Sequence, residues 1–337
     1  MIGVISRPEN LSAAFLPVAY GVSASSSDES FDVEIYDGDF DECLGIKRYL
    51  GEQNYTVELG DYLRYRFDIE PISGPKCELF EDESKLKAVG VKIDGIFETS
   101  PSWHTFATVN VEGLEALSSA PLSRKITWGQ RDELSILVVD SALSARYSFS
   151  GEVEDFVIEL DALSAENKVV SLLTDMVTLK AYLQENELDA DLFSALKLEI
   201  FANDEVILEI NYSLESEAED EFRLCWLNKY GALDYYTFSG NVLGYCQVSK
   251  QRVYSSSGYK VTGSSLSRMM NLYTDFLPNK TLEWLSELLA SAKVWIVEGD
   301  DFQLIDVLSD SLVYKDEDLL RLELSVRNAQ SEVYQYV

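Results

Sequence analysis

The chain has 337 residues, with 27 Lys and Arg against 59 Asp and Glu, a formal net charge of −32 at pH 7. So acidic a surface repels nucleic acid and anionic membranes. A hydrophobic share of 46% with 12% aromatics excludes global disorder, because it supplies enough apolar side chain for packed cores. The length predicts two or three domains. The carboxylates alternate with apolar residues along strands instead of forming phosphate-like tracks, which favours a solubilising face over a nucleic-acid mimic. No apolar run approaches the roughly 20 residues a helical membrane span needs. Residues 1–8 lack both a basic segment and a long apolar one, so no secretory signal is expected.

Most of the chain reads as strands. Residues 31–35 alternate apolar and polar and run into Asp37-Gly38, a dipeptide suited to tight hairpins. The pattern recurs at 55–59, 62–67 and 86–93, with Asp94-Gly95 as another turn, and again at 134–139 and 156–160. Such closely spaced strands and turns suit sandwiches and barrels better than βαβ units. From 175 to 198 the period changes. Leu179, Tyr182 and Leu183 sit at helical spacing, continued by Leu188, Leu192, Ala195 and Leu196, which predicts a helical insertion. Residues 198–201 and 206–212 form a hairpin around Asn203-Asp204, and 213–221 read as an acidic loop.

The segment that follows is the most informative. Phe222, Leu224 and Trp226 mark one face of a strand, and Tyr236 and Phe238 lie on the return strand. Asn228 and Gly231 form the turn, since both tolerate the positive φ that tight hairpins need. By alternation, only part of the cluster Tyr230, Tyr235 and Tyr236 can face outward. Residues 254–259 read as an exposed turn of small residues. Pro278 and Asn279 open a helix with Leu282, Leu285, Leu288 and Leu289 as one stripe, and Glu283 and Glu287 facing away. Strands at 294–298 and 302–307 flank a Gly299-Asp300-Asp301 turn. Asp316-Glu317-Asp318 then interrupts the chain before a last strand at 319–326.

The phrase WLN-x-x-G-x-x-D-x-x-x-F is formed by Trp226, Leu227, Asn228, Gly231, Asp234 and Phe238. It resembles the signature hairpin of a family of virion proteins in tailed phages and prophages of Bacteroidetes bacteria. That family has a second glycine and an aromatic where this chain has Ala232 and Leu233. The closing run, a helix followed by SAKVWIV, FQLIDVLSDSL and LLRLELSVRNA, is similar to the end of the same proteins, and residues 10–20 with 31–35 are similar to their opening strands. The resemblance covers roughly residues 220–330 most clearly. It implies a non-enzymatic tail or minor structural subunit, made in the bacterial host cytoplasm and incorporated into the virion particle. Its implied partners are further copies of itself, in ring-like oligomers, and other virion proteins; the acidic charge argues against nucleic acid and membrane as partners.

Little in the sequence points to chemistry. His104 is the only histidine, so a Ser-His-Asp triad, a Cys-His pair or a His-bearing metal centre would have to use it. Flanked by Trp103 and Phe106 at a strand edge, it reads as a structural residue, packed or exposed. G-x-S-x-G, Walker A and G-x-G-x-x-G motifs are absent. No catalytic residue and no cofactor are therefore expected. Asp37, Asp39 and Asp41 alternate like the start of a calcium loop, but Glu42 stands where that loop needs glycine, so an acidic hairpin tip is expected. Cys43, Cys77, Cys225 and Cys246 form no C-x-x-C and are expected as buried free thiols, although Cys225 and Cys246 flank the signature hairpin.

Repulsion between acidic copies requires assembly contacts to be apolar or to use basic patches. Candidates are Lys47-Arg48, Arg64 with Arg66, Arg124-Lys125, and Lys250 with Arg252. The 19 tyrosines also suit a surface carbohydrate-binding or adhesin module, the alternative function. The expected fold is mainly β, with several sandwich-like domains and one short C-terminal helix packed on a sheet. The expected divisions are a β-sandwich region at 1–165, a second β domain with the signature hairpin at 166–262, and an α+β segment at 263–337.

Overall fold

A computed structural model describes residues 2–24, 30–50, 54–74, 76–93, 95–97, 100–111, 113–216, 221–240, 242–312, 320–329 and 332–336. The fold is mainly β, with 59% strand and 10% helix in several sheets and three short helices. The N-terminal part holds β1 (Ile2–Ser6), β2 (Ser12–Ala13), β3 (Ala19–Ala24), β4 (Ser30–Asp37), β5 (Cys43–Leu50), β6 (Asn54–Glu58), α1 (Gly60–Arg64), β7 (Leu79–Glu81), β8 (Leu86–Ile93), β9 (Ile96–Phe97) and β10 (Ser102–Thr105). One sheet runs β1-β3-β6 and a second β2-β10-β8-β4-β5, with β9 on β8. Alternation sends Tyr20, Val22 and Val57 from the first sheet, and Phe31, Val33, Ile35, Val89 and Val91 from the second, into one shared core. The strand expected at 62–67 is instead α1. Leu63 is buried while Tyr65 is exposed, so the apolar alternation there marks no strand face. Asp61 sits in the first turn and Arg64 in the last, the arrangement a helix dipole favours.

The middle part holds β11 (Glu115–Ala116), β12 (Ser123–Thr127), β13 (Arg131–Gly151), β14 (Phe156–Asp175), α2 (Met176–Glu185), a 3-10 turn at Ala190–Leu192, β15 (Phe193–Ala202) and β16 (Glu205–Glu215). Its sheet runs β12-β16-β15-β13-β14-β7, with β11 on β13. Asp175 caps α2 by accepting the Thr178 N–H at 3.2 Å. The helix lays Met176, Leu179 and Leu183 on a core shared with Tyr147, Phe149 and Leu198. The helical insertion expected over 175–198 therefore ends at Glu185, and Leu196 and Leu198 point inward from β15. Asn203 (φ 49°) and Asp204 (φ 68°) join β15 to β16, the paired left-handed residues that match strand twist. β13 and β14, with 21 and 20 residues, run far beyond the segments read from sequence.

The C-terminal part holds β17 (Phe222–Leu227), β18 (Leu233–Phe238), β19 (Leu243–Ser255), β20 (Gly258–Tyr273), α3 (Asn279–Ala290), β21 (Val294–Glu298), β22 (Asp301–Val307), β23 (Glu323–Asn328) and β24 (Glu332–Tyr336). The sheet order is β18-β17-β21-β22-β23-β20-β19, with β24 on β20. As expected from its stripe, α3 packs Leu282, Leu285 and Leu288 on this sheet, and Trp284 joins them. Of the strand expected at 319–326, β23 begins only at Glu323, while Leu320 bridges to Leu277. The acidic break at 316–318, Leu319 and Asp94 lie outside the described residues, as do 217–220 of the loop expected at 213–221, whose first three residues continue β16. Divisions at 165/166 and 262/263 fall inside β14 and β20, and the last sheet joins β17–β18 to β21–β23.

Candidate functional site

The six signature residues converge on one internal junction. Trp226, Leu227, Asn228, Gly231, Asp234 and Phe238 are all buried. Strand alternation sends Leu224, Trp226 and Phe238 to the face covered by α3, with Phe222 partly buried beside them. Cys225, Leu227, Leu233 and Tyr235 go to the opposite face, where Phe67, Ile69 and Phe106 cover them. Asn228 closes the turn: its Oδ1 accepts the N–H of Tyr230 at 2.9 Å and of Ala232 at 3.1 Å. Its side-chain amide donates to the Leu117 carbonyl at 2.9 Å, and Gly231 adopts φ +75° as the turn requires. Asp234 accepts from the Trp284 indole N–H at 2.7 Å and from the Ser118 hydroxyl at 2.6 Å. Burial pushes its carboxyl up to about 6 despite those bonds. At the tip, the Lys229 carbonyl accepts from the Thr108 N–H at 2.9 Å and its ammonium pairs with Glu287 at 3.0 Å. Glu287, expected to face away from the core, is instead turned onto this tip, where the Ser119 hydroxyl also donates to it. Segments far apart in sequence thus meet on the hairpin. It is a keystone of the fold. Of its tyrosines, Tyr235 is buried, and Tyr230 and Tyr236 are half-buried.

His104 lies on β10, opposite Ser12 of β2, and is fully buried. Ser12 donates to the Glu9 carbonyl at 2.8 Å, so its oxygen is left to accept the His104 Nδ1–H at 3.0 Å, while Nε2 accepts from Ser102 at 2.7 Å. The neutral ring is satisfied at both nitrogens. Burial holds its pKa down at about 4, against an ordinary 6.5. Between those values the unfolded chain binds a proton that the folded chain does not, so this contribution is present above pH 6.5 and is lost as pH falls to 4. Relative to wild type, His104→Asn should gain on the order of 3 kcal/mol over that descent, at about 1.4 kcal/mol per pKa unit. Asp234 titrates alike in both proteins and drops out of the difference. Paired denaturant melts at pH 7 and 4 measure it, and a pH-independent difference would mean the imidazole charges freely in the fold.

Of the acidic tip only Asp37 turns inward, while Asp39 and Asp41 are exposed. Asp37 Oδ1 accepts the N–H of Asp41 at 2.9 Å and of Glu42 at 3.2 Å, and Oδ2 lies 3.8 Å from Arg66. Among the described residues no group of three His, Cys, Asp or Glu is arranged to hold a metal ion. The cysteines are free, but only Cys225 is buried. Cys77 is half-buried, and Cys43 and Cys246 are exposed, which corrects the expectation of four buried thiols. Cys43 opens β5 and Cys246 lies on β19, both strands with little cover.

One cluster left no signal in the sequence. Lys85, 2% exposed, is held by Asp82 at 2.8 Å, by Glu133, and by the hydroxyls of Ser135 and Ser171 at 3.0 and 3.1 Å. Burial works against its charge, but the two carboxylates outweigh it and its pKa is raised. A lysine serving as a base needs the opposite shift. A cavity of roughly 290 Å³ lies between β12, β18 and α3, walled by Arg124, Asp132, Arg223, Tyr236, Asp275 and Trp284. Its cations are already engaged: Arg124 with Asp132 at 2.5 Å, Lys125 with Glu215 at 2.9 Å, and Arg223 with the Arg131 carbonyl and Thr237.

The most exposed element is the β19–β20 hairpin. β19 is the sheet's edge strand, 13 residues long, and exposed on both faces for nearly all its length. Leu243, Tyr245, Val248, Val253, Tyr254, Tyr259 and Val261 are large apolar side chains left in solvent along it. The turn expected at 254–259 is its tip, where Tyr254 and Tyr259 are 73% and 76% exposed and stack edge to face at 5.1 Å. β19 buries almost nothing, so no core pattern announced it.

No family model matches the chain, and no curated protein matches its sequence. Among solved structures it is similar to the crystal structure of DIP-gamma IG1+IG2, at 11% identity, covering 65% of this chain and 98% of that one. The TM-score is 0.21, a likeness too slight to carry any argument about this chain.

Proposed function

We propose that the chain is a non-enzymatic structural subunit that assembles with copies of itself and other proteins of a particle, of the phage tail or minor virion kind its signature hairpin resembles. The single observation that supports this reading is the β19–β20 arm. A long edge strand presents a row of unpaired N–H and C=O groups, and soluble proteins ordinarily shorten, cover or twist such edges away. Here the edge is long, apolar side chains line it, and among the described residues only the arm's own second strand pairs with it. An element of this kind gains its stabilisation by pairing with another chain. The interior agrees with such a role. Its one histidine is neutral and buried, the one buried lysine among the described residues keeps its charge, and its signature residues are spent on holding the sheets together.

The mass of the purified chain in solution tests the reading. Oligomers at micromolar concentration support it. A chain that stays monomeric and binds glycans through Tyr254 and Tyr259 overturns it in favour of a carbohydrate-binding module.

A further inference from the structure

We infer that the β19–β20 arm of one copy docks along the open edge of β14 in the next copy, basic strand against acidic strand. This rests on the assembly reading and names its partner, a second copy of this chain. Four basic patches stand out in the sequence, and the fold uses three of them internally. Arg48 grips Asp32 through two bonds of 2.7 Å, and Lys47 donates to the Glu58 carbonyl at 2.6 Å. Arg64 pairs with Asp61 and Arg66 with Asp37. Arg124 pairs with Asp132 and Lys125 with Glu215. The fourth patch, Lys250 with Arg252, lies on β19, and Lys260 lies opposite on β20. Among the described residues none of these three makes an ion pair.

The arm is also chemically unlike the rest of the chain. Residues 242–273 contain Lys250, Arg252, Lys260 and Arg268 and not one Asp or Glu, in a protein of net charge −32. Positive charge along an edge strand bars that strand from pairing with its own equivalent. The same charge favours an acidic edge. β14 supplies one: it pairs with β13 on one side, and on the other, among the described residues, β7 pairs with Val170, Ser171 and Leu172, and the Asp82 N–H bonds the Val169 carbonyl at 2.8 Å. The uncovered stretch and the turn before it carry Glu152, Glu154, Asp155, Glu159, Asp161 and Glu166, and residues 152–166 contain no Lys or Arg. Val157, Glu159, Asp161 and Glu166 are exposed there. An added strand would complete the main-chain ladder, and cross-strand neighbours about 5 Å apart would pair Lys or Arg with Asp or Glu. Because arm and acceptor are different surfaces, the contact is heterologous and passes from copy to copy, closing into a ring when the rotation allows.

Charge exchange in the full chain tests this. Reversing the arm (Lys250→Glu with Arg252→Glu) or the acceptor (Asp161→Lys with Glu166→Lys) should raise the concentration needed for half-assembly by on the order of tenfold or more. The chain carrying both reversals should recover assembly. All four positions are solvent-exposed, and melting curves confirm folding of each variant. As a measurement without substitution, amides of 243–255 and 156–168 should exchange more slowly in the wild-type oligomer than in the diluted chain. Reversals that leave a wild-type oligomer intact, with no added protection in these strands, overturn the docking inference and leave the assembly reading standing. A wild-type chain that never associates overturns both.

Discussion

Trp226→Ala should lose about 3–5 kcal/mol of folding stability, the usual cost of emptying a buried tryptophan site. The side chain is fully buried, and its rings lie 5.0 Å from those of Trp284, in the core shared by the last sheet and α3. Removal would leave a cavity beside Trp284, in a core whose strand and helix backbones resist collapse. A loss of that size is a large part of the roughly 5–15 kcal/mol that typically holds a domain together. Trp226→Phe separates packing from polarity. The buried indole N–H has no acceptor, so phenylalanine removes an unsatisfied donor while keeping most of the ring volume. Its cost should fall well below that of alanine. Urea titrations of both variants measure the difference, and a soluble Trp226→Ala chain with an unchanged midpoint would contradict the keystone role of the hairpin.

Gly231→Ala should cost more than any other glycine substitution in a turn, for two separable reasons. Its φ of +75° is left-handed, which costs an L residue about 1–2 kcal/mol. A Cβ built there would also fall 2.4 Å from the Phe106 carbonyl oxygen and 2.6 Å from its carbon. That neighbour is backbone and cannot swing away, so accommodation should add about 1–3 kcal/mol of overpacking. Gly299 provides the control, since its φ is +60° and nothing lies within 4 Å of its Cβ position. Gly299→Ala therefore reports backbone strain alone. Ala232→Val is a poorer comparison, because Ala232 is itself buried in a cluster with Leu117 and Leu137. Thermal melts of the two alanine variants decide the point. Equal losses would mean the hairpin does not sit against the 106–108 segment.

What was legible in the sequence was whatever buries one face. The alternation at 31–35 and 86–93, the left-handed pair Asn203-Asp204 and the leucine stripe of α3 each appear where their periods placed them. The signature hairpin was legible as well, since Asn228 and Gly231 carry its turn through a side-chain bond and a positive φ. The misreadings share a cause. In α1 the apolar residues Tyr62, Leu63 and Tyr65 mimic a strand, and in β13 the run Ser141-Ala142-Leu143-Ser144-Ala145 is too small and polar to show alternation. Long-range polar contacts were silent altogether: Lys85 meets Glu133 and Ser171 only because β13 and β14 bring them beside it. The arm was silent for the opposite reason. The side chains of β19 are exposed on both faces, so period-two apolar spacing was never required of them.

Sedimentation of the wild-type chain across a concentration series bears most directly on assembly. Copies joined by two different surfaces should pass from single chains to one closed, discrete oligomer, with few species of intermediate size, as a ring completes all of its contacts at once. A single-chain mass at every concentration from about 1 to 100 μM, where a specific interface of ordinary affinity is occupied, would contradict it.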